Sequence, residues 1–146
     1  MSVIAYRGGC LAADTRACVG GSVLGNVTKI ARNAAGDLAG GVGFASTSAK
    51  FLEWFVKGED GDPPKLIEDR DIYDRCFIIR AARRNEVIVY EPTGTHRPTI
   101  DYFAAGSGKP EALGAMFVGA SAADAVRAAI AHDVHCGGHV VVLAHE

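Results

Sequence analysis

Ser2, Asp14, Lys29 and the pair Gly40-Gly41 are the residues whose types first suggest chemistry in this chain. Removal of Met1 would make Ser2 the first residue, with a hydroxyl and a free α-amine on the same unit. A hydroxyl is a poor nucleophile until a base takes its proton. An α-amine, with an ordinary pKa of about 7.7–8.0, can be that base near neutral pH. A lysine nearby would disfavour protonation of the amine by like charge and would stabilise developing negative charge. An aspartate would hold the lysine in place and keep it charged. Gly40, within Ala39-Gly40-Gly41, lets backbone approach an intermediate closely, so its N–H is a candidate oxyanion donor. Each feature also has a plain structural reading. A lone Asp–Lys pair is usually an ion pair without chemistry, and Ala-Gly-Gly is usually tight packing.

Elements from most of the chain must bring these residues together. Residues 2–6 read as a short strand and 10–13 as its return across the Arg7-Gly8-Gly9 turn. Residues 22–30 alternate weakly, 33–37 form a turn, and 38–43 have the small composition of a buried strand. Ser46 or Thr47 is expected to cap a helix reaching about Lys57, with Phe51, Leu52, Phe55 and Val56 on one face. A charged, proline-containing loop over 58–64 follows. Residues 76–79 and 87–90 suggest a second hairpin and 102–105 a further strand, followed by Gly106-Ser107-Gly108. Pro110 suits the first turn of a helix to about Val118. Ser121 caps another helix, with Ala122, Val126 and Ile130 on one side, and Gly137-Gly138 stops it. Residues 140–143 read as a final buried strand. This order, without internal repeats, predicts one α+β domain over residues 1–146, a sandwich of sheets and helices.

Six segments, in order, resemble the proteasome β-subunit group of N-terminal nucleophile hydrolases, especially its short bacterial and phage-type members. They are Ser2-Val3-Ile4-Ala5, Ala12-Ala13-Asp14-Thr15-Arg16, Gly25-Asn26-Val27-Thr28-Lys29-Ile30, Ala39-Gly40, Gly106-Ser107-Gly108 and Asp133-Val134-His135-Cys136-Gly137-Gly138. The resemblance implies a four-layer αββα sandwich with the N-terminus in the cleft between two sheets. It implies Ser2 as nucleophile, Lys29 tuning the amine, Asp14 paired with Lys29, and Gly40 as oxyanion donor. Ser107 and Asp133 would support the N-terminus by hydrogen bonds, and Cys136 would stand where a hydroxyl residue is usual. The implied activity is cleavage of peptides or unfolded protein by a cofactor-free homo-oligomer. An ATPase unfoldase is a further partner to consider, which no residue here identifies. Serine in place of threonine gives up a stiff χ1, so the nucleophile is less preorganised. Residues 58–74 leave little room for the second helix that usually helps build rings in such subunits.

Composition narrows the remaining classes. A net charge of −2 gives no electrostatic reason to expect nucleic acid or an anionic membrane as partner. No apolar run reaches the roughly 18 residues that span a bilayer, and no signal peptide is apparent. Cys10, Cys18, Cys76 and Cys136 lack CxxC spacing, which argues against zinc and fits reduced thiols in a cytosolic protein. Three other readings stay open at this level. One is a catalytically silent scaffold subunit, and another is a small-amide hydrolase using Ser2. The third is a cysteine hydrolase pairing Cys136 with His135 or His139.

Overall fold

Strand periodicity sorts the apolar residues into layers. At the start of the chain, Val3 and Ala5 face one way and Ile4 and Tyr6 the other, and all four are buried. The structure, a computed structural model, describes residues 2–146; the fate of Met1 lies outside the described residues. The strands are β1 (Ile4–Arg7), β2 (Cys10–Ala13), β3 (Arg16–Val19), β4 (Ser22–Asn26), β5 (Ile30–Arg32) and β6 (Leu38–Val42). After helix α1 (Ala45–Val56) come β7 (Glu68–Asp69), β8 (Ile72–Tyr73), β9 (Arg75–Ile79), β10 (Ile88–Glu91), β11 (Gly94–His96) and β12 (Tyr102–Ala105). Helices α2 (Lys109–Phe117) and α3 (Ala122–His132) precede β13 (Val141–Ala144).

Two antiparallel sheets form the middle of the molecule. One has four strands in the order β12-β1-β2-β13, the other five in the order β11-β10-β9-β6-β5. Ile4, Leu11, Leu38, Phe77 and Ile79 meet between them. Val3, Ala5 and Ala12 turn outward onto Met116 of α2 and Val126 and Ala129 of α3. Ala39, Cys76 and Ile78 turn outward from the second sheet onto Phe51 and Phe55 of α1. The result is the four-layer αββα sandwich that the family resemblance implied. Among the described residues, no helix is long and apolar enough to cross a membrane.

The expected hairpins form with matching register, β1 against β2 and β9 against β10. Pro110 sits in the first turn of α2, and the Ser121 side chain accepts from the Asp124 N–H at 3.1 Å. Several details differ from expectation. Helix α1 starts earlier, with Phe44 at the N-cap and no side-chain cap of its own, and Thr47 and Ser48 are buried within it. Val56 is 51% exposed, so the apolar face of α1 ends at Phe55. Helix α3 ends at His132, before Gly137-Gly138. The last strand lies at a sheet edge with Val141 and Val142 partly exposed, because only β2 pairs with it. Residues 58–74 carry the small β7–β8 hairpin rather than a helix. The β3–β4 ribbon stands apart from both main sheets and exposes Val19, Val23 and Leu24.

Candidate active site

Asp14 leaves the end of β2 directly into the space beside the chain start. Its carboxylate is fully buried and accepts three hydrogen bonds. Oδ1 takes the Val3 N–H at 3.1 Å and Lys29 Nζ at 2.8 Å, and Oδ2 takes the Gly137 N–H at 3.0 Å. Lys29 is itself only 6% exposed and also donates to the Arg16 carbonyl at 2.8 Å. Burying two charges carries a desolvation cost of several kcal/mol per ion unless good geometry and further hydrogen bonds offset it. Here the amides of Val3 and Gly137 and the carbonyl of Arg16 supply those bonds. One carboxylate therefore ties the residue after Ser2 to the lysine cation and to the loop before β13.

The turn Gly106-Ser107-Gly108, between β12 and α2, closes on Ser2 from the other side. The Ser2 nitrogen donates to Ser107 Oγ at 3.1 Å, and the Ser2 carbonyl accepts from the Gly108 N–H at 3.0 Å. Ser107 Oγ lies 3.9 Å from Cys136 Sγ. Asp133 caps the C-terminal end of α3 and accepts from the His135 N–H at 2.8 Å. Burial raises the pKa of its carboxyl. Hydrogen bonds from the His135 amide, Ser107 and Cys136 outweigh this and hold it below the ordinary carboxylate value. Burial, with the charges of Asp14 and Asp133 adding, pushes the Cys136 thiol up to about 12. Near neutral pH Cys136 is a neutral thiol. Since the thiolate is the nucleophilic form, this weighs against a cysteine hydrolase.

Ser2, Asp14, Lys29, Ser107, Asp133 and Cys136 thus converge in space. Gly40 differs. Gly41 donates to the Lys29 carbonyl and Asn33 to the Asp37 carbonyl, each at 3.1 Å, so the odd-numbered amides of β6 point toward β5. Strand alternation turns the Gly40 amide the other way, toward β9, where Phe77 is its partner. A Cβ at position 40 would also sit 2.5 Å from Phe77 Cζ, so this glycine makes room for the core between the sheets. The Gly41 amide faces the Lys29 edge of the strand but is spent on the Lys29 carbonyl, whereas the N–H of Gly43, two residues on, has no hydrogen-bond partner among the described residues. Sequence reasoning missed it, along with the Gly108 and Gly137 amides and the Arg16 carbonyl. All are backbone groups, which leave no residue-type signal.

No protein-family profile matches the chain, and no curated protein matches it in sequence. Solved structures match its backbone. BPH of Thiobacillus denitrificans, in complex with epoxomicin, superposes with a TM-score of 0.66 at 20% identity over 99% of this chain and 98% of that one. The fold is that of the proteasome-like N-terminal nucleophile hydrolases. The same BPH described without epoxomicin gives a TM-score of 0.65 at 19% identity over 99% and 98% of the two chains. Eukaryotic HslV from Trypanosoma brucei gives 0.67 at 18% identity, covering 97% of this chain and 96% of that chain. Within this fold, the order of the two sheets places the start of β1 beside Asp14 and Lys29.

Proposed function

We propose that the protein is an N-terminal nucleophile peptidase that acts through Ser2 after removal of Met1. The observation that carries this reading is the Asp14 carboxylate, which binds the Val3 N–H and the Lys29 ammonium together and so fixes a cation beside the chain start. The α-amine of Ser2 takes the hydroxyl proton as Oγ attacks the scissile carbonyl carbon. The new C–O bond forms while the carbonyl π pair moves onto oxygen. Lys29 disfavours protonation of the amine before the attack and stabilises the oxyanion after it. The Gly41 amide is spent on the Lys29 carbonyl, so the donor role that the sequence suggested for Gly40 falls to the amide of Gly43, just past the end of β6. Collapse breaks the C–N bond, and the leaving amine takes the proton held by the α-amine. Water then hydrolyses the ester with the same amine as base. Ser107 orients the Ser2 nitrogen, and Asp133 and Cys136 fix Ser107.

The fold shared with HslV and BPH supports peptides or unfolded protein as substrate and a homo-oligomer as the working form. The complex of BPH with epoxomicin supports the choice of test. A peptide epoxyketone closes a ring on the hydroxyl and free amine of one residue. After exposure to such a reagent, the intact mass is expected to lack Met1 and to gain one inhibitor, while Ser2→Ala gains none. A retained Met1 without adduct would overturn the reading in favour of the silent scaffold subunit.

A further inference from the structure

We infer that Asp74 is a positioning residue for the reaction proposed above, holding the β6–α1 turn and through it the Gly43 amide. The inference rests on that reading for its effect on rate. Asp74 lies just before β9 and is fully buried. Its Oδ1 accepts the Phe44 N–H at 2.8 Å and its Oδ2 the Ile67 N–H at 2.7 Å. Its own N–H donates to the Ile67 carbonyl at 2.8 Å. Both carboxylate oxygens thus act as acceptors for backbone amides. Among the described residues, no lysine, arginine or histidine forms an ion pair with it.

The favourable surroundings of this carboxylate come instead from helix α1. Phe44 is the N-cap of α1, which has no capping side chain and no acidic residue in its first turn. The positive end of the helix therefore meets a carboxylate from a strand distant in sequence. Gly43 completes the clasp. It has φ +109°, and a Cβ there would lie 2.7 Å from Asp74 Cα and Oδ1 and 2.8 Å from the Tyr73 carbonyl. Residues 73 and 74 thus both press against the turn at Gly43 and hold it through the Phe44 N–H. Gly43 follows the end of β6, two residues after Gly41, whose amide binds the Lys29 carbonyl, and its own N–H has no hydrogen-bond partner among the described residues. An oxyanion donor works only within about 2.7–3.1 Å of the oxyanion position. A misplacement of about 1 Å can cost on the order of a hundredfold in rate. A residue that fixes the turn therefore acts on the chemical step without touching substrate.

The test is kinetics of Asp74→Asn, a change that keeps size, removes charge and sets an NH2 against a backbone N–H. Active sites are first counted by epoxyketone adduct. We expect kcat per titrated site to fall about tenfold or more, with KM changed by less than about twofold. Gly43→Ala drives a Cβ against Asp74 and the Tyr73 carbonyl and should give the same split. A purely structural Asp74 would lower the number of titrated sites and the melting temperature while leaving kcat per site unchanged, and that outcome overturns the inference. Hydrogen exchange over residues 41–46 should show lost protection in Asp74→Asn; unchanged protection also overturns it. A wild-type protein that never forms the adduct overturns the Ser2 assignment and Asp74's part in the rate. The exchange result then reports on the turn alone, so the two failures are told apart.

Discussion

Asp14 and Asp74 each sit one residue from a strand end with no solvent exposure, yet only Asp14 has a cation. Asp14 meets Lys29 and two amides; Asp74 meets two amides and the start of a helix. At Asp74 the carboxylate serves the backbone alone, so its value is conformational. At Asp14 the same kind of anchoring also fixes a charge 2.8 Å from the carboxylate, and that charge is what the proposed chemistry uses. A buried acid is therefore not a catalytic signal by itself. The buried lysine is what distinguishes the first region from the second.

Lys29→Ala should break this comparison most severely. It removes the cation and leaves Asp14 buried without its counter-charge, so turnover should fall to background and unfolding free energy by about 3–5 kcal/mol, read by denaturant titration. The double variant Asp14→Asn/Lys29→Met sharpens the point. It should recover much of the stability and none of the turnover, because a buried pair can be replaced by neutral groups while its function cannot. A smaller effect is expected from Asp74→Ala, which strips two amides of their acceptor at about 1–3 kcal/mol each and leaves no charge unpaired. Stability loss comparable to that of Lys29→Ala would show that helix α1 leans on Asp74 more heavily than its two bonds imply.

The smallest effect concerns Asp133. Its folded pKa is lowered, with burial opposing and the His135, Ser107 and Cys136 hydrogen bonds prevailing. Its contribution to stability is therefore complete above the unfolded value of about 3.9 and is lost as pH falls through the lower folded value. Unfolding measured from neutral pH into acid should show this loss only below about pH 4, and Asp133→Asn should flatten it. An unchanged profile in that variant would separate Asp133 from the Ser107 turn.

Much of the fold was legible because alternation was strong where two buried layers compete for each strand. Ile4, Tyr6, Leu11 and Ala13 mark the inter-sheet face as plainly as Val3 and Ala12 mark the helix face. The β3–β4 ribbon was not legible, because Gly20-Gly21 interrupts it and its apolar residues are exposed rather than sorted. The cap of α1 was misplaced onto Ser46 or Thr47 because the real acceptor, Asp74, is 30 residues away from Phe44. In the site, the side chains Ser2, Asp14 and Lys29 could be read by type. The choice between Gly40 and Gly43 could not, since it depends on the hydrogen-bond register of β6 with β5 and on which amides that ladder already occupies.

That register also ties two positions together over evolutionary time. The Phe77 ring fills the volume that any side chain at position 40 would need. A lineage of this chain can enlarge residue 40 only after it has shrunk residue 77, so the intermediate sequence must pass through a core with a hole in it. The strand beside the lysine is thereby kept lean by selection on packing, whichever peptide the cleft accepts.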